Sequence, residues 1–63
     1  MSRLSKNIKS LRKHMGETQE DLAYSIGLDS KSAVANWESG ANQPSPENLK
    51  KIATHYRVTV DQL

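Results

Sequence analysis

The sequence contains no cysteine, which excludes a disulfide framework and any metal site held by thiolates. Its two histidines, His14 and His55, lie far apart, and neither falls in a ligand spacing such as H-x-x-x-H. Both read as ordinary exposed helix residues, and no metal is expected. No apolar run approaches the roughly 18 residues that a membrane span needs. The opening Met-Ser-Arg-Leu-Ser-Lys carries charge with no apolar stretch behind it, so it does not read as a secretory signal. These absences lead to an expectation of a cytoplasmic protein with no membrane partner. A nucleophile–base pair, a glycine-rich phosphate loop and a carboxylate dyad with supporting spacing are also missing, so neither catalysis nor a cofactor is expected.

What is present fits one domain. At 63 residues the chain has room for a single small core of marginal stability. The net charge is only +2, but it is unevenly spread. Residues 1–15 hold Arg3, Lys6, Lys9, Arg12 and Lys13 without an acid, and residues 16–29 hold Glu17, Glu20, Asp21 and Asp29 without a base. Such a division suits a protein that meets phosphates with part of its surface; a solvated helix face explains it equally well.

Apolar residues recur at helical spacing through most of the chain. Leu4, Ile8, Leu11 and Met15 define one stripe of a first helix, which Gly16 ends. Thr18-Gln19-Glu20-Asp21 pairs a hydroxyl cap with an acid three residues on, and so opens a second helix. Leu22, Ala23 and Ile26 are its buried side, and Gly27 is its stop. Asp29 or Ser30 is expected to cap a third helix with Val34 and Trp37 inward and Gly40 at its end. Ser45-Pro46-Glu47 starts a fourth helix, with Leu49, Ile52, Ala53 and Tyr56 on its inner face. Thr59-Val60-Asp61-Gln62 is a further capping box, opening a fifth helix that is expected to continue beyond Leu63. The predicted fold is therefore all-α, a compact bundle of four to five short helices spanning 1–63. Its expected core is Leu4, Ile8, Leu11, Leu22, Ile26, Val34, Trp37, Leu49, Ile52 and Val60.

A short helix, a glycine and a second short helix is a weak signal by itself, because helical hairpins share it. The wider pattern is specific. Thr18-Gln19-Glu20-Asp21-Leu22-Ala23, Gly27-Leu28, Trp37-Glu38-Ser39-Gly40 and Pro44-Ser45 together closely resemble the Cro and lambda-repressor-like, or XRE, family. The resemblance runs from Ile8 to Leu63 and places a helix-turn-helix at about residues 18–38. It implies that the third helix enters a major groove with Lys31, Ser32 and Asn36 toward the base edges and with Ala35 close by. A lysine donates to guanine and an asparagine pairs with adenine, each good bidentate contact discriminating by roughly 1–3 kcal/mol. A methyl of Ala33 or Ala35 would meet a thymine methyl. Backbone contacts are implied for Gln19, Ser30, Asn42 and Gln43, which fix register without reading sequence. Arg12 and Glu38 are implied to form a largely buried ion pair, and Trp37 to turn inward. The plainer readings are a first-turn surface lysine at Lys31, a tolerated polar residue at Asn36 and loop filler at Gln43.

The sequence departs from the family pattern in three places. Ten steps separate Gly27 from Trp37 where most relatives have nine, so the turn carries an extra residue within Leu28-Asp29-Ser30-Lys31. The third helix offers little positive charge, which favours a dimer on a two-fold symmetric operator. Arg57 stands where glycine is frequent, and is expected to strain the exit of the fourth helix. The resulting expectation is a sequence-specific, double-stranded-DNA-binding transcriptional repressor of bacterial or phage type, associated with the nucleoid. A homodimer would form on DNA or through a region beyond Leu63. The alternative is a protein-interaction module, such as an antitoxin or regulator-binding domain, on the same fold.

Overall fold

The computed structural model describes residues 2–63. Four α-helices follow one another, α1 (Arg3–His14), α2 (Gln19–Ser25), α3 (Ser32–Ser39) and α4 (Pro46–Tyr56), before a 3-10 turn at Val60–Gln62. Local chemistry accounts for most of the starts. Ser2, Thr18, Ser45 and Thr59 each accept a backbone N–H from three residues ahead. At Thr18 and Thr59 the bond is reciprocated, since Asp21 and Gln62 accept the N–H of the capping residue.

Three helices end in the same way. The N–H of Glu17 bonds to Arg12 O, that of Leu28 to Ala23 O and that of Val58 to Ala53 O, all at 2.9 Å. The N–H groups of Gly16, Gly27 and Arg57 close the inner bond of each turn, which makes each a Schellman motif. The residue at its apex must be left-handed. Gly27 meets that need at φ 83°, whereas Arg57 is held there at φ 58° without a glycine's freedom.

The core is one cluster of Ile8, Leu22, Ala23, Ile26, Val34, Trp37, Ile52, Ala53 and Leu63. Leu4, Leu11 and Leu49 pack on it half-buried. Two expected inward residues lie outside. Met15 is 63% exposed because α1 has already ended, and the side chain at the cap leaves the helical stripe. Val60 is exposed and Leu63 is buried instead. With Thr59 as the cap, Val58 precedes the box and Leu63 occupies the fourth position inside it. Those two positions form the hydrophobic staple of a helix start, while Val60 at the first position faces solvent.

The start of α3 also differs from expectation. Neither Asp29 nor Ser30 is the capping residue; Lys31 is, in helical backbone conformation and without a side-chain cap. The extra turn residue delays the helix by a step. Ser30 Oγ then reaches only the N–H of Ser32, at 3.4 Å.

Candidate nucleic-acid interface

Helix α2 lies against α3, and Ala23 of α2 is buried in the core, 1% exposed. The Schellman turn at Gly27 redirects the chain. Val34 and Trp37 anchor α3 into the core at 0% and 4% exposure. Rotation by about 100° per residue then fixes the outer face. Ser32 and Asn36, four apart, are both exposed, and Lys31 is exposed just ahead of them. Ala33 and Ala35 flank that face half-buried. Among the described residues no hydrogen bond or ion pair engages the side chains of Lys31, Ser32 or Asn36.

The loop after α3 folds back on its last turn. Asn36 O accepts the N–H of Asn42 at 3.3 Å and the hydroxyl of Ser39 at 3.2 Å. Asn42 and Gln43 are thus held beside the exposed end of α3, and both are open to solvent. Ser30 is exposed in the turn at its other end.

Behind this face lies a charged network. Arg12 Nε donates to Glu38 Oε2 at 2.7 Å and Arg12 Nη2 to Glu38 Oε1 at 3.0 Å, a two-pronged pairing of guanidinium and carboxylate. Arg12 Nη1 donates to the carbonyl of Glu17 at 2.7 Å. Gln19 is half-buried, and its Nε2 donates to Glu38 Oε1 at 3.1 Å. Burial pushes the Glu38 carboxyl pKa up, but hydrogen bonds from Arg12 and Gln19 outweigh it and hold the pKa below the usual carboxylate range. The bonds to Glu38 likewise raise the Arg12 guanidinium against the penalty of burial. Gln19 therefore stands at the edge of the interface with one side-chain N–H committed inward and one remaining.

Sequence reasoning overlooked a second network, and it changes the reading of His55. That residue is half-buried, with Nε2 at 2.7 Å from Glu17 Oε2, and Tyr56 donates its hydroxyl to Glu17 Oε1 at 2.7 Å. Burial first, and then the Glu17 hydrogen bond, push the Tyr56 phenol well above its ordinary value. Glu17 thus ties the α1–α2 loop to α4 across nearly forty residues, a pairing that no local pattern announces. Among the described residues no cluster of His, Cys, Asp and Glu suits a metal ion, and no helix is long and apolar enough to cross a membrane.

Two packed helices joined by a glycine turn, the second of them carrying a solvent-facing stripe, define a helix-turn-helix protein. The chain belongs to the helix-turn-helix family, whose profile matches residues 8–63. It is similar to the HTH-type transcriptional activator BcrR of Enterococcus faecalis, with 37% identity over 94% of this chain and 28% of the relative. It also resembles the cryptic phage CTXphi transcriptional repressor RstR of Vibrio cholerae serotype O1, with 33% identity over 97% of this chain and 54% of that one. The chain thus spans between about a quarter and about half the length of these two relatives.

Among solved structures, the restriction-modification controller protein C.AhdI of Aeromonas hydrophila superposes with a TM-score of 0.83 at 32% identity, covering 94% of this chain and 88% of that one. The P22 c2 repressor, solved in complex with a synthetic operator, shares the fold at a TM-score of 0.87 and 24% identity, over 97% and 91% of the two chains.

Proposed function

We propose that this domain is the DNA-reading part of a transcriptional regulator, a repressor in its simplest form, that places α3 in the major groove of duplex DNA. The observation that carries this reading is the exposed stripe Ser32–Asn36 with Lys31 beside it, free of internal partners and backed by a rigid buried anchor. The named activities of the two relatives, one activator and one repressor, support it. Asn36 would read adenine and Lys31 guanine, with Ser32 between them. Gln19, through its remaining amide hydrogen, would hold a phosphate together with Ser30, Asn42 and Gln43.

Regulation would proceed by occupancy, with no chemical step. A homodimer on a two-fold symmetric operator suits the modest charge of one α3. The domain measures 26 Å along its longest axis, so two copies fit half-sites about 34–36 Å apart without overlap.

The test is a titration of a labelled duplex from upstream of the protein's own gene, alongside a scrambled duplex, at several salt concentrations. Selective binding that weakens with salt is expected. Failure to bind either duplex would turn the reading to the protein-interaction alternative.

A further inference from the structure

Glu17 is bound through every hydrogen-bonding group it has. Its N–H bonds to Arg12 O at 2.9 Å, and its carbonyl accepts Arg12 Nη1 at 2.7 Å. Its carboxylate bridges to α4, with Oε2 at 2.7 Å from His55 Nε2 and Oε1 accepting the Tyr56 hydroxyl at 2.7 Å. The side chains of Glu17 and His55 are only 17% and 27% exposed. The raised pKa of Tyr56 keeps its phenol protonated at neutral pH, and so a donor to that carboxylate.

Helix initiation does not call for this clasp. The capping box between Thr18 and Asp21 serves the first turn of α2 by itself, and Ile52 and Ala53 already bury α4 in the core. What Glu17 adds is a fixed distance between the last turn of α4 and the residue just before the α2 cap. Gln19 lies two positions further on. Arg12, which holds the Glu17 carbonyl, shares Oε1 of Glu38 with Gln19. Glu17, Gln19 and Lys31 also line one concavity, so the loop that Glu17 fixes is a wall of the surface offered to DNA.

We propose that Glu17 is a positioning residue for DNA binding, clasped by His55 and Tyr56 so that Gln19 meets the phosphate backbone in a preset pose. The inference rests on the reading that Gln19 holds a phosphate. A side chain that is already placed loses less freedom on binding than one that must first be ordered. The clasp therefore acts on affinity and leaves sequence preference alone, because a phosphate carries no sequence information. It extends the determinants of DNA binding to the last turn of α4, a helix with no assigned contact to DNA.

Tyr56→Phe removes one hydrogen bond of the clasp and keeps the ring, and His55→Ala removes the other. Each is made in the full chain, alone and together with Gln19→Ala. Ile52→Val is the control, since it thins the buried face of the same helix without touching the clasp. Binding to the upstream and scrambled duplexes is followed by fluorescence anisotropy at fixed low salt, at a temperature where melts show every variant folded. Each clasp variant is expected to weaken binding to both duplexes by roughly three- to tenfold, within the range by which side chains outside a site alter binding. In the Gln19→Ala background most of that loss should vanish, since partners in one network are not additive. Ile52→Val should melt lower and bind as the unaltered chain does. Wild-type affinity in either clasp variant, a loss that persists in full without Gln19, or an equal loss in Ile52→Val overturns the proposal and leaves DNA binding standing. Absence of binding by the unaltered chain overturns the DNA reading itself, and the positioning role with it.

Discussion

Glu38 has 5% of its surface exposed and takes hydrogen bonds from Arg12 on α1 and Gln19 on α2. Removing the carboxylate strands a buried guanidinium, so Glu38→Ala should cost on the order of 3–5 kcal/mol in urea unfolding. The pH dependence follows from the direction of the shift. A carboxyl whose folded pKa lies below its ordinary value of 4.5 stabilises the fold above that value, and the contribution is lost as pH falls through the folded pKa. Wild-type stability should therefore decline below about pH 5, and Glu38→Gln should flatten part of that decline. Asp21 is lowered too, by the Thr18 N–H, so Asp21→Asn identifies its share of the same window. In the DNA titration, Asn36→Ala is expected to weaken binding to the upstream duplex while sparing the scrambled one. Gln19→Ala should weaken both alike; an equal loss in Asn36→Ala would remove its assigned role.

Among the elements, the ends of the helices reveal what a sequence can and cannot show. The boxes at Thr18 and Thr59 are legible because a cap and its partner lie three residues apart, within one turn. The same locality made the glycine stops readable, and it exposed Arg57 as an anomaly. Replacing Arg57 by glycine should relieve the left-handed strain, raising stability by about 0.5–1 kcal/mol and the melting temperature by a few degrees. A drop in melting temperature would mean that the arginine side chain contributes more than its backbone costs. The Glu17 link to His55 and Tyr56 lay beyond such reading, because its partners meet only after the bundle has closed. The exchange of Val60 for Leu63 was hidden for a subtler reason. The capping box was visible, but an inner face assigned by helical period overlooks the staple positions that flank a box. The expected side-chain cap of α3 failed because the extra turn residue displaced the helix start, and spacing alone does not say where a lengthened turn gives way to helix.

At the scale of the whole molecule, nine buried apolar residues among those described form the cluster that holds the helices together. The last of them is Leu63, 5% exposed, whose carbonyl also accepts the side-chain amide of Asn7 at 3.1 Å. Arg3 reaches the carbonyl of Asp61 at 2.9 Å in the same region, so the two ends of the described chain are fastened to each other. Leu63→Ala should therefore cost about 2 kcal/mol or more and loosen the whole bundle together. Calorimetry checks this: a single transition at lower temperature is expected, and a separate early transition would show that the C-terminal turn melts alone. The resemblance of the sequence to its family foreshadowed this architecture because the family pattern is mostly core and caps, the features that decide a small fold.

The uncapped start of α3 has a kinetic meaning. At the third amide of α2, Asp21 N–H is held by Thr18 Oγ1 at 3.0 Å, whereas the capping residue of α3, Lys31, makes no side-chain cap and Ser30 Oγ reaches only the first amide, that of Ser32, at 3.4 Å. In hydrogen exchange the Ala33 amide should therefore trade its proton for solvent deuterium well before that of Asp21. The end of the helix pair nearest Lys31 and Ser32 is then the least committed part of a tightly anchored helix. It can adjust by a fraction of a turn to what it meets while Val34 and Trp37 keep their places.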